Sequence, residues 1–342
     1  MGTQRVPAPH RHVETMAMFW AHYDDDLVFA NPTLSQALDS GQRAHSFFFT
    51  ASDAGTGMSD YMSGRESGIR AAYDTMRGSV GPWSDRSVVL ANGVTVTVTS
   101  PDGDDRVSLA FLRLPDGGVR GGGYAATGRQ SLAKLITGEL SELHTVDSGQ
   151  AITLALLRST VAHVVRAQHP TTVISHHPGY DDGPGDDHPD HQSVGRVVAS
   201  VVDAGDIPAG TVQYAVGYPA ARRPANIAPD LLARKLEVFA SYAAWDPVVA
   251  REHVHEYLHV RGFGEWLQRH YLEPHSGLVP VISDDADPAS ALATHAVPRP
   301  DSTDALGRAA PRHLARPVPV DHQNQYLPRS SSPKSSGDPR PV

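Results

Sequence analysis

The sequence contains no cysteine among its 342 residues, and this absence removes a whole group of chemistries. A thiol nucleophile, a disulfide framework and a cysteine-ligated zinc site are all excluded. Any bound metal must therefore be held by histidine and carboxylate side chains. Donors of this kind are plentiful, since the chain carries 19 histidines and 38 acidic residues.

Positive charge is scarce. The chain has 29 lysines and arginines against its 38 acidic residues, which gives a formal net charge of -9. Such a chain lacks the basic field that drives non-specific binding to nucleic acid. We therefore expect no nucleic-acid partner.

Long hydrophobic runs are absent as well. Residues 1–14 are mostly polar, and the first apolar run, Met16–Ala21, is too short to span a membrane. No apolar core of a secretion signal precedes it. These absences predict a chain without a membrane span and with a cytoplasmic location. They leave its oligomeric state open.

Short apolar runs alternate with helical patterns along the first two thirds of the chain. Unbroken runs of this length suit strands that are buried on both faces of a parallel sheet. Apolar residues at i, i+3, i+4 and i+7 predict amphipathic helices between them. The sequence therefore predicts an α/β fold, a Rossmann-like three-layer arrangement with a mostly parallel sheet. The strands are expected at 16–21, 44–50 and 172–175, and the helices at 64–77, around 157–165 and from 188 onward.

The middle of the chain has a different pattern. Asn92-Gly93 stands between Val88–Ala91 and Val94–Thr99, and Asn-Gly is the strongest short signal for a hairpin. Together with Arg106–Leu114 these segments predict a small antiparallel insertion, at about 86–115, on an edge of the sheet. From 280 to 342 proline and serine are frequent and apolar periodicity is lost, which predicts a disordered tail after one domain at 1–279.

Two clusters carry the residue types that catalysis requires. His22, Asp24 and Asp25 follow the first apolar run, at the strand end beyond which open α/β sheets bind their ligands. The second cluster, His188-Pro189-Asp190-His191, begins a valine-striped helix, with His188 expected at the N-cap and Pro189 at the first helical position. We expect both clusters to face one crevice.

Two histidines and one carboxylate, with one position left for water, form a known catalytic zinc set. Hydrolysis of an amide also needs a base for the proton of the water and a donor for the departing nitrogen. Asp24 and Asp25 could divide the roles of base and ligand, and His188 and His191 could divide proton donation and ligation. The residues alone leave that division open.

The segments Ala21–Asp26 and His188–His191 resemble the two signatures of the PIG-L/LmbE-like deacetylases. That family has a Rossmann-like fold and removes N-acyl groups from amino sugars and related metabolites, usually with zinc. The resemblance implies a metal bound by His22, Asp25 and His191, with Asp24 as the general base and His188 as the acid or oxyanion stabiliser. A site of this composition also accepts Fe²⁺ or Co²⁺. The implied partner is a small N-acylated substrate, an amino sugar or glycoconjugate.

The resemblance continues more weakly through Thr50–Gly55 and Arg65-Glu66, which predicts that Asp53 and Arg65 contact substrate. Tyr23 stands in place of the usual proline and Asp26 in place of the usual glutamate. The family's loop tyrosine has no aligned counterpart, and Tyr180 is its candidate substitute.

Two other functions compete with this interpretation. His255 and His259 match the H-E-x-x-H pattern of zinc metalloproteases, although partly buried structural histidines are the simpler interpretation. A non-catalytic module that binds a sugar or metabolite, with a vestigial metal site, would keep the ligands without turnover. Retention of both Asp24 and His188 argues against that module, since metal binding requires neither.

Overall fold

The computed structural model describes residues 13–179 and 187–278 of the chain. The two regions contain seven α-helices and ten β-strands. The strands are β1 Thr15–Trp20, β2 Arg43–Thr50, β3 Trp83–Val89, β4 Thr95–Pro101, β5 Val107–Leu114, β6 Glu142–His144, β7 Ala151–Thr153, β8 Thr172–His176, β9 Val212–Ala215 and β10 Leu272–Pro274. The helices are α1 Thr33–Asp39, α2 Asp60–Arg77, α3 Leu132–Ile136, α4 Leu154–Gln168, α5 Pro189–Asp203, α6 Pro229–Ala243 and α7 Phe263–Leu267.

An eight-stranded sheet forms the centre of the fold, in the order β10-β9-β8-β1-β2-β5-β4-β3. The five strands from β9 to β5 are parallel, and β10, β4 and β3 are antiparallel to their neighbours. Because β1 lies in the middle of the parallel part, both of its faces are covered. The expected α/β fold with a mostly parallel sheet is confirmed.

Successive side chains of β1 belong to opposite cores. Met16, Met18 and Trp20 pack in one apolar cluster, and Ala17 and Phe19 pack in the other. The first cluster includes residues of α1, α2 and α6, and the second includes residues of α3, α4 and α5. Helices on both faces of the sheet make three layers, and an unbroken apolar sequence is what such a central strand requires.

Two glycines of helix α2 pack against α6 and the segment that follows it. The hydroxyl of Ser59 accepts a hydrogen bond from the backbone of Met62 and caps the start of α2. A Cβ atom at Gly64 would lie 2.8 Å from the backbone oxygen of Trp245, and one at Gly68 would lie 2.7 Å from that of Tyr242. Both distances are too short for a real side chain, so only glycine lets the two helices approach this closely.

The predicted hairpin is formed by β3 and β4 at the edge of the sheet, joined through Asn92-Gly93. Strand β5 differs from the expectation. It pairs antiparallel with β4 but parallel with β2, so it belongs to the main sheet as well as to the insertion. The alternating pattern of Arg106–Leu114 could not reveal the direction of its partner, because β-pairing is non-local.

Three sequence predictions fall on residues outside the described ranges: the tail at 280–342, most of the N-terminal segment 1–14, and Tyr180. Within residues 13–179 and 187–278, no helix has the length and apolar character that crossing a bilayer requires.

Candidate metal centre

The two predicted clusters meet at the carboxyl ends of β1 and β8. His22 and Asp25 follow β1 directly, and β1 pairs with β8, whose following segment leads into α5. His188 is the N-cap of α5, and its Nδ1 accepts the backbone N–H of Asp190 at 3.2 Å. Pro189 is the first residue of the helix, as predicted, so that His191 lies in the first turn and faces the end of β1.

Three donor groups converge in this crevice. His22 Nδ1 lies 3.2 Å from His191 Nε2 and 3.4 Å from Asp25 Oδ2, and His191 Nε2 lies 3.1 Å from Asp25 Oδ1. Ligands of a tetrahedral ion with bonds of about 2.0–2.1 Å are about 3.3 Å apart, so these separations fit a zinc-sized ion. The structure therefore brings together the three residues that the resemblance implies as ligands.

A carboxylate lies on the far side of each imidazole, at hydrogen-bond distance for His191 and slightly farther away for His22. Asp187 Oδ1 lies 2.8 Å from His191 Nδ1, and Asp190 Oδ2 lies 3.5 Å from His22 Nε2. A carboxylate in this position orients a metal-binding histidine and makes it a stronger ligand. Both acids are buried next to the centre. Asp187 lies just before the N-cap of α5 and Asp190 in its first turn, and the sequence pattern indicated a role at the centre for neither of them.

The electrostatics of the centre favour positive charge. Burial lowers the pKa of His191, but the carboxylates of Asp25 and Asp187 outweigh it and raise the pKa to about 9. His188 behaves in the opposite way, because burial and the neighbouring His22 and His191 lower its pKa well below the usual value. Since Nδ1 of His188 accepts a backbone N–H, its proton lies on Nε2, and the side chain is a neutral hydrogen-bond donor.

Asp24 lies beside these groups but has a different partner. Its Oδ1 accepts a hydrogen bond from Arg65 Nη2 at 2.9 Å, and its Oδ2 is buried without a hydrogen-bond partner in the described part of the chain. Burial raises the pKa of Asp24, with the charge of Asp25 adding to the effect. One oxygen is therefore fixed in place and the other is free to accept a proton.

Arg65 lies inside the protein, with 1% of its surface exposed. Besides Asp24, its guanidinium donates to the backbone oxygen of Ser52 at 2.9 Å and to Tyr242 Oη at 2.6 Å. Tyr242 in turn donates to Asp246 Oδ2 at 3.1 Å. Asp246 lies just beyond the carboxyl end of α6, so the contact between α2 and α6 holds Arg65 in place against Asp24.

The carboxylate of Asp53 also forms its hydrogen bonds within the protein. Its two oxygens accept the backbone N–H groups of Asp116 at 3.0 Å and Gly57 at 2.8 Å, and the side chain is fully buried. This arrangement fixes the loop that follows β2. The predicted substrate contacts of Asp53 and Arg65 stay predictions, and the third candidate, Tyr180, lies outside the described residues.

The two departures from the family signature have local explanations. Tyr23 donates its backbone N–H to Ser52 Oγ at 2.9 Å and its hydroxyl to Glu66 Oε1 at 3.0 Å, and proline could do neither. Asp26 accepts hydrogen bonds from Ser46 and Tyr73, both at 2.7 Å. Aspartate is shorter than the usual glutamate, and the side chains of Ser46 and Tyr73 extend far enough to bond with it.

A small cavity lies against the centre. Its polar wall is formed by His22, Asp24 and Asp25, and its volume is about 10 Å³, enough for one water molecule. The opposite wall is apolar and mostly aromatic. It consists of Val28, Phe29, Tyr218, Phe263 and Trp266. Tyr218 and Trp266 stack with ring centres 4.1 Å apart, and Tyr218 donates its backbone N–H to Asp187, which ties this wall to the centre.

The H-E-x-x-H segment has another structure. Val254–His259 is a 3₁₀-helix, in which residues four apart do not share a face. His255 and His259 are exposed, so the expectation of partly buried histidines is wrong. Within residues 13–179 and 187–278, every group of three or more side chains suited to a metal lies at the crevice. These groups are His22, His188 and His191; His22, Asp116, His188 and Asp190; and Asp25, His176 and His191.

Several solved structures are similar to this chain at low sequence identity. One is the N,N'-diacetylchitobiose deacetylase from Pyrococcus horikoshii, with 13% identity, coverage of 80% of this chain and 90% of that one, and a TM-score of 0.42. Another is the conserved protein TT1542 from Thermus thermophilus, with 16% identity, coverage of 76% and 92%, and a TM-score of 0.39. A third is the zinc-inhibited form of the teicoplanin deacetylase Orf2, with 12% identity, coverage of 73% and 90%, and a TM-score of 0.41. A comparison with curated protein sequences gives no match.

The sequence itself matches a family model. The match covers residues 17–202, more than half of the 342 residues, and it includes both clusters of the centre. Helix α6 and the aromatic residues Tyr218, Phe263 and Trp266 lie beyond it. The chain belongs to the PIG-L family, whose model is described as GlcNAc-PI de-N-acetylase.

Proposed function

We propose that the protein is a metal-dependent amide hydrolase that removes an N-acyl group, most simply acetyl, from an amino sugar or a related small metabolite. The observation that carries the proposal is the convergence of His22 Nδ1, Asp25 and His191 Nε2 at 3.1–3.4 Å beside a base with one free oxygen. Membership in the PIG-L family supports the same reaction class.

His22, Asp25 and His191 would hold the ion, and zinc, iron(II) and cobalt(II) all suit this donor set. A divalent ion at such a site supplies Lewis acidity, which makes water a stronger acid and an amide carbonyl a better electrophile. Asp187 keeps the imidazole of His191 oriented through a hydrogen bond, and Asp190 lies 3.5 Å from Nε2 of His22. Asp25 receives a further hydrogen bond from the backbone N–H of His22 at 2.6 Å, which fixes its carboxylate.

Asp24 accepts a proton from the attacking water at Oδ2, while Arg65 holds Oδ1. The oxygen of the water bonds to the acyl carbon, and His188 Nε2–H donates a hydrogen bond to the oxygen that gains negative charge. The leaving nitrogen receives from Asp24 the proton that Asp24 took from the water, the C–N bond breaks, and the nitrogen leaves as an amine. The products are a carboxylate and a primary amine.

The apolar wall suits the acyl group of the substrate. A reacting carbonyl must lie close to Asp24, and the space next to that side chain is bounded by Phe29, Phe263 and Trp266. Apolar walls bury the methyl or methylene groups of an acyl chain, whereas the hydroxyls of a sugar would need polar partners. We infer that the acyl end points toward this wall and the amine end toward the opening.

The test compares wild type with Asp24→Asn and Asp25→Asn. We expect about one bound metal per chain in wild type and Asp24→Asn, and loss of metal in Asp25→Asn. Amine release from a panel of N-acetylated amino sugars should occur in wild type alone. Absence of metal from a well-folded wild-type protein would overturn the metal site.

The same experiment separates the competing functions. Bound metal without turnover of any N-acyl compound would favour the non-catalytic binding module. A metalloprotease that uses His255 and His259 would lose activity in His255→Ala and keep it in His22→Ala. We expect the reverse, because His22 lies within a group of side chains that could hold a metal and the described part of the chain forms no such group around His255.

A further inference from the structure

A second, larger cavity lies at the other end of the sheet. Its volume is about 440 Å³, within the range of about 300–1,000 Å³ that is usual for small-molecule sites. It lies between α4 and the face of the sheet formed by β2, β5, β4 and β3. Ser108 and His45 lie near the amino ends of β5 and β2, whereas the metal centre lies beyond the carboxyl ends of the parallel strands. The two sites are therefore separate.

The register of the strands explains the walls of this cavity. Arg86 pairs with Val98, Val98 with Ala110, and Ala110 with Phe47, which gives one row of side chains across four strands. Residues two apart in a strand have side chains on the same face of the sheet. The neighbouring pairs Val88–Val96 and Ser108–His45 therefore line the same cavity wall. Most of this surface is apolar, and α4 covers only part of it.

Polar groups at this cavity lack partners. Arg86 is an exposed residue of the cavity wall, and its side chain has no hydrogen bond or ion pair among the described residues. The side-chain oxygen of Gln168 is buried without a partner. His45 Nδ1 shares a hydrogen bond with Ser108 Oγ at 2.7 Å, and burial together with Arg43 lowers the pKa of His45 to about 4. His45 is therefore neutral, and Arg86 is the permanent cation.

Negative charge is missing from the walls. The chain has nine more acidic than basic residues, yet none of the described residues that line the cavity is acidic. Asp85, next to Arg86, lies on the other face of β3 and accepts a hydrogen bond from Arg70 at 3.1 Å. In an acidic protein, an apolar cavity with an unpaired guanidinium and no carboxylate selects an anion with an apolar body.

We propose that this cavity, bounded by the β3–β4 hairpin and α4, is a second binding site that takes an apolar monocarboxylate, with its carboxylate on Arg86 and its chain against Phe47, Val96 and Val98. Guanidinium and carboxylate form paired hydrogen bonds, which fixes the orientation of the ligand. The site is independent of the proposed hydrolase activity, since it shares no residue with the metal centre.

The test uses decanoate as the probe and isothermal titration calorimetry on the full-length chain. We expect saturable binding of one decanoate, at least tenfold weaker binding of decanol and of decyltrimethylammonium, and at least tenfold weaker binding of decanoate to Arg86→Gln. Ala110→Phe, which fills the cavity while keeping the charge, should abolish binding. Thermal unfolding would verify that this variant is folded.

Two controls isolate the cavity. Arg158→Gln removes an exposed arginine from α4 outside the cavity and should bind decanoate as wild type does. Asp24→Asn should also bind normally. Equal affinity for decanoate and decyltrimethylammonium, unchanged affinity in Arg86→Gln, or no saturable binding to wild type would each overturn the inference. If the wild-type chain binds no decanoate but forms a dimer, and Arg86→Gln dissociates that dimer, the face is instead an interface with a second copy of the chain.

Discussion

Arg65 lies between two buried carboxylates, with Nη2 at 2.9 Å from Asp24 Oδ1 and Nε at 3.2 Å from Asp246 Oδ2. Tyr242 also contacts Nε and Asp246, so a phenol and an acid from the end of α6 fix the guanidinium. The proposed base is thus oriented by residues that lie far beyond it in the sequence.

The first prediction concerns this support. Tyr242→Phe removes hydrogen bonds to charged groups, each worth about 1.5–3 kcal/mol, and lets Arg65 shift. We expect kcat to fall about tenfold or more while KM and metal content stay unchanged. Steady-state kinetics and metal analysis measure the effect. Tyr271→Phe, which removes a phenol that donates to the backbone of Pro224 at the surface, is the matched control and should retain full activity.

The second prediction concerns Asp187. Asp187→Asn weakens the hydrogen bond to His191 Nδ1, and loss of such an outer carboxylate costs about 10–100-fold in metal affinity. Competition with a chromogenic chelator measures the affinity. Asp206→Asn changes an exposed acid that pairs with Arg166 and should leave affinity as in wild type. Equal affinity in Asp187→Asn would show that the acid does not support the metal ligand.

The third prediction concerns the aromatic wall. If the acyl group lies there, Trp266→Ala opens space for longer chains, and one methylene in an apolar pocket is worth about 1–3 kcal/mol. We expect wild type to prefer N-acetyl over N-butanoyl derivatives of one amine by about tenfold or more, and the variant to reduce that ratio. The measurement is the ratio of the two kcat/KM values, because a general loss of stability lowers kcat/KM for both substrates to the same extent. An unchanged ratio would place the acyl group elsewhere.

The fourth prediction concerns Lys235, which is 1% exposed and donates to the backbone oxygens of Val28 at 2.6 Å and Arg269 at 3.2 Å. Burial lowers its pKa from 10.5 to about 7 in the folded protein. Below pH 7 both states carry the proton and the full cost of burying the charge is present. Above pH 7 the folded state releases the proton while the unfolded state keeps it, so this contribution to stability rises toward pH 10.

Lys235→Met removes that dependence. We expect the free energy of unfolding of wild type, relative to Lys235→Met, to increase from pH 7 to pH 9.5 in urea titrations. The neighbouring His270, whose pKa burial lowers to about 4, changes little in this range. A difference that is constant with pH would mean that Lys235 stays charged in the folded state.

Local signals were sufficient for much of the fold and for the centre. The apolar run of β1 and the proline after His188 predicted a strand end and a helix start, and the structure brings His22 and His191 to 3.2 Å. Both signals depend on a few adjacent residues, which a sequence displays directly.

The remaining features depend on contacts between distant segments. Tyr242 meets Arg65 across 177 positions, and nothing in the pattern of α6 indicates which helix it packs against. The sequence around Trp266 and Tyr218 does not distinguish them from other aromatic residues, and only tertiary packing places them beside Asp24. The parallel pairing of β5 with β2 could not be predicted from the sequence for the same reason.

The glycines at 64 and 68 of α2 have a further consequence. Adding a methyl group at either position would push α6 outward, because the backbone oxygens of Trp245 and Tyr242 occupy that space. Tyr242 would move with its helix and Arg65 would lose its anchor. The spacing between α2 and α6 would therefore affect the rate of the proposed reaction, although neither helix carries a proposed metal ligand. We expect alanine substitutions at Gly64 and Gly68 to change that rate by moving Arg65 rather than by changing a reacting group.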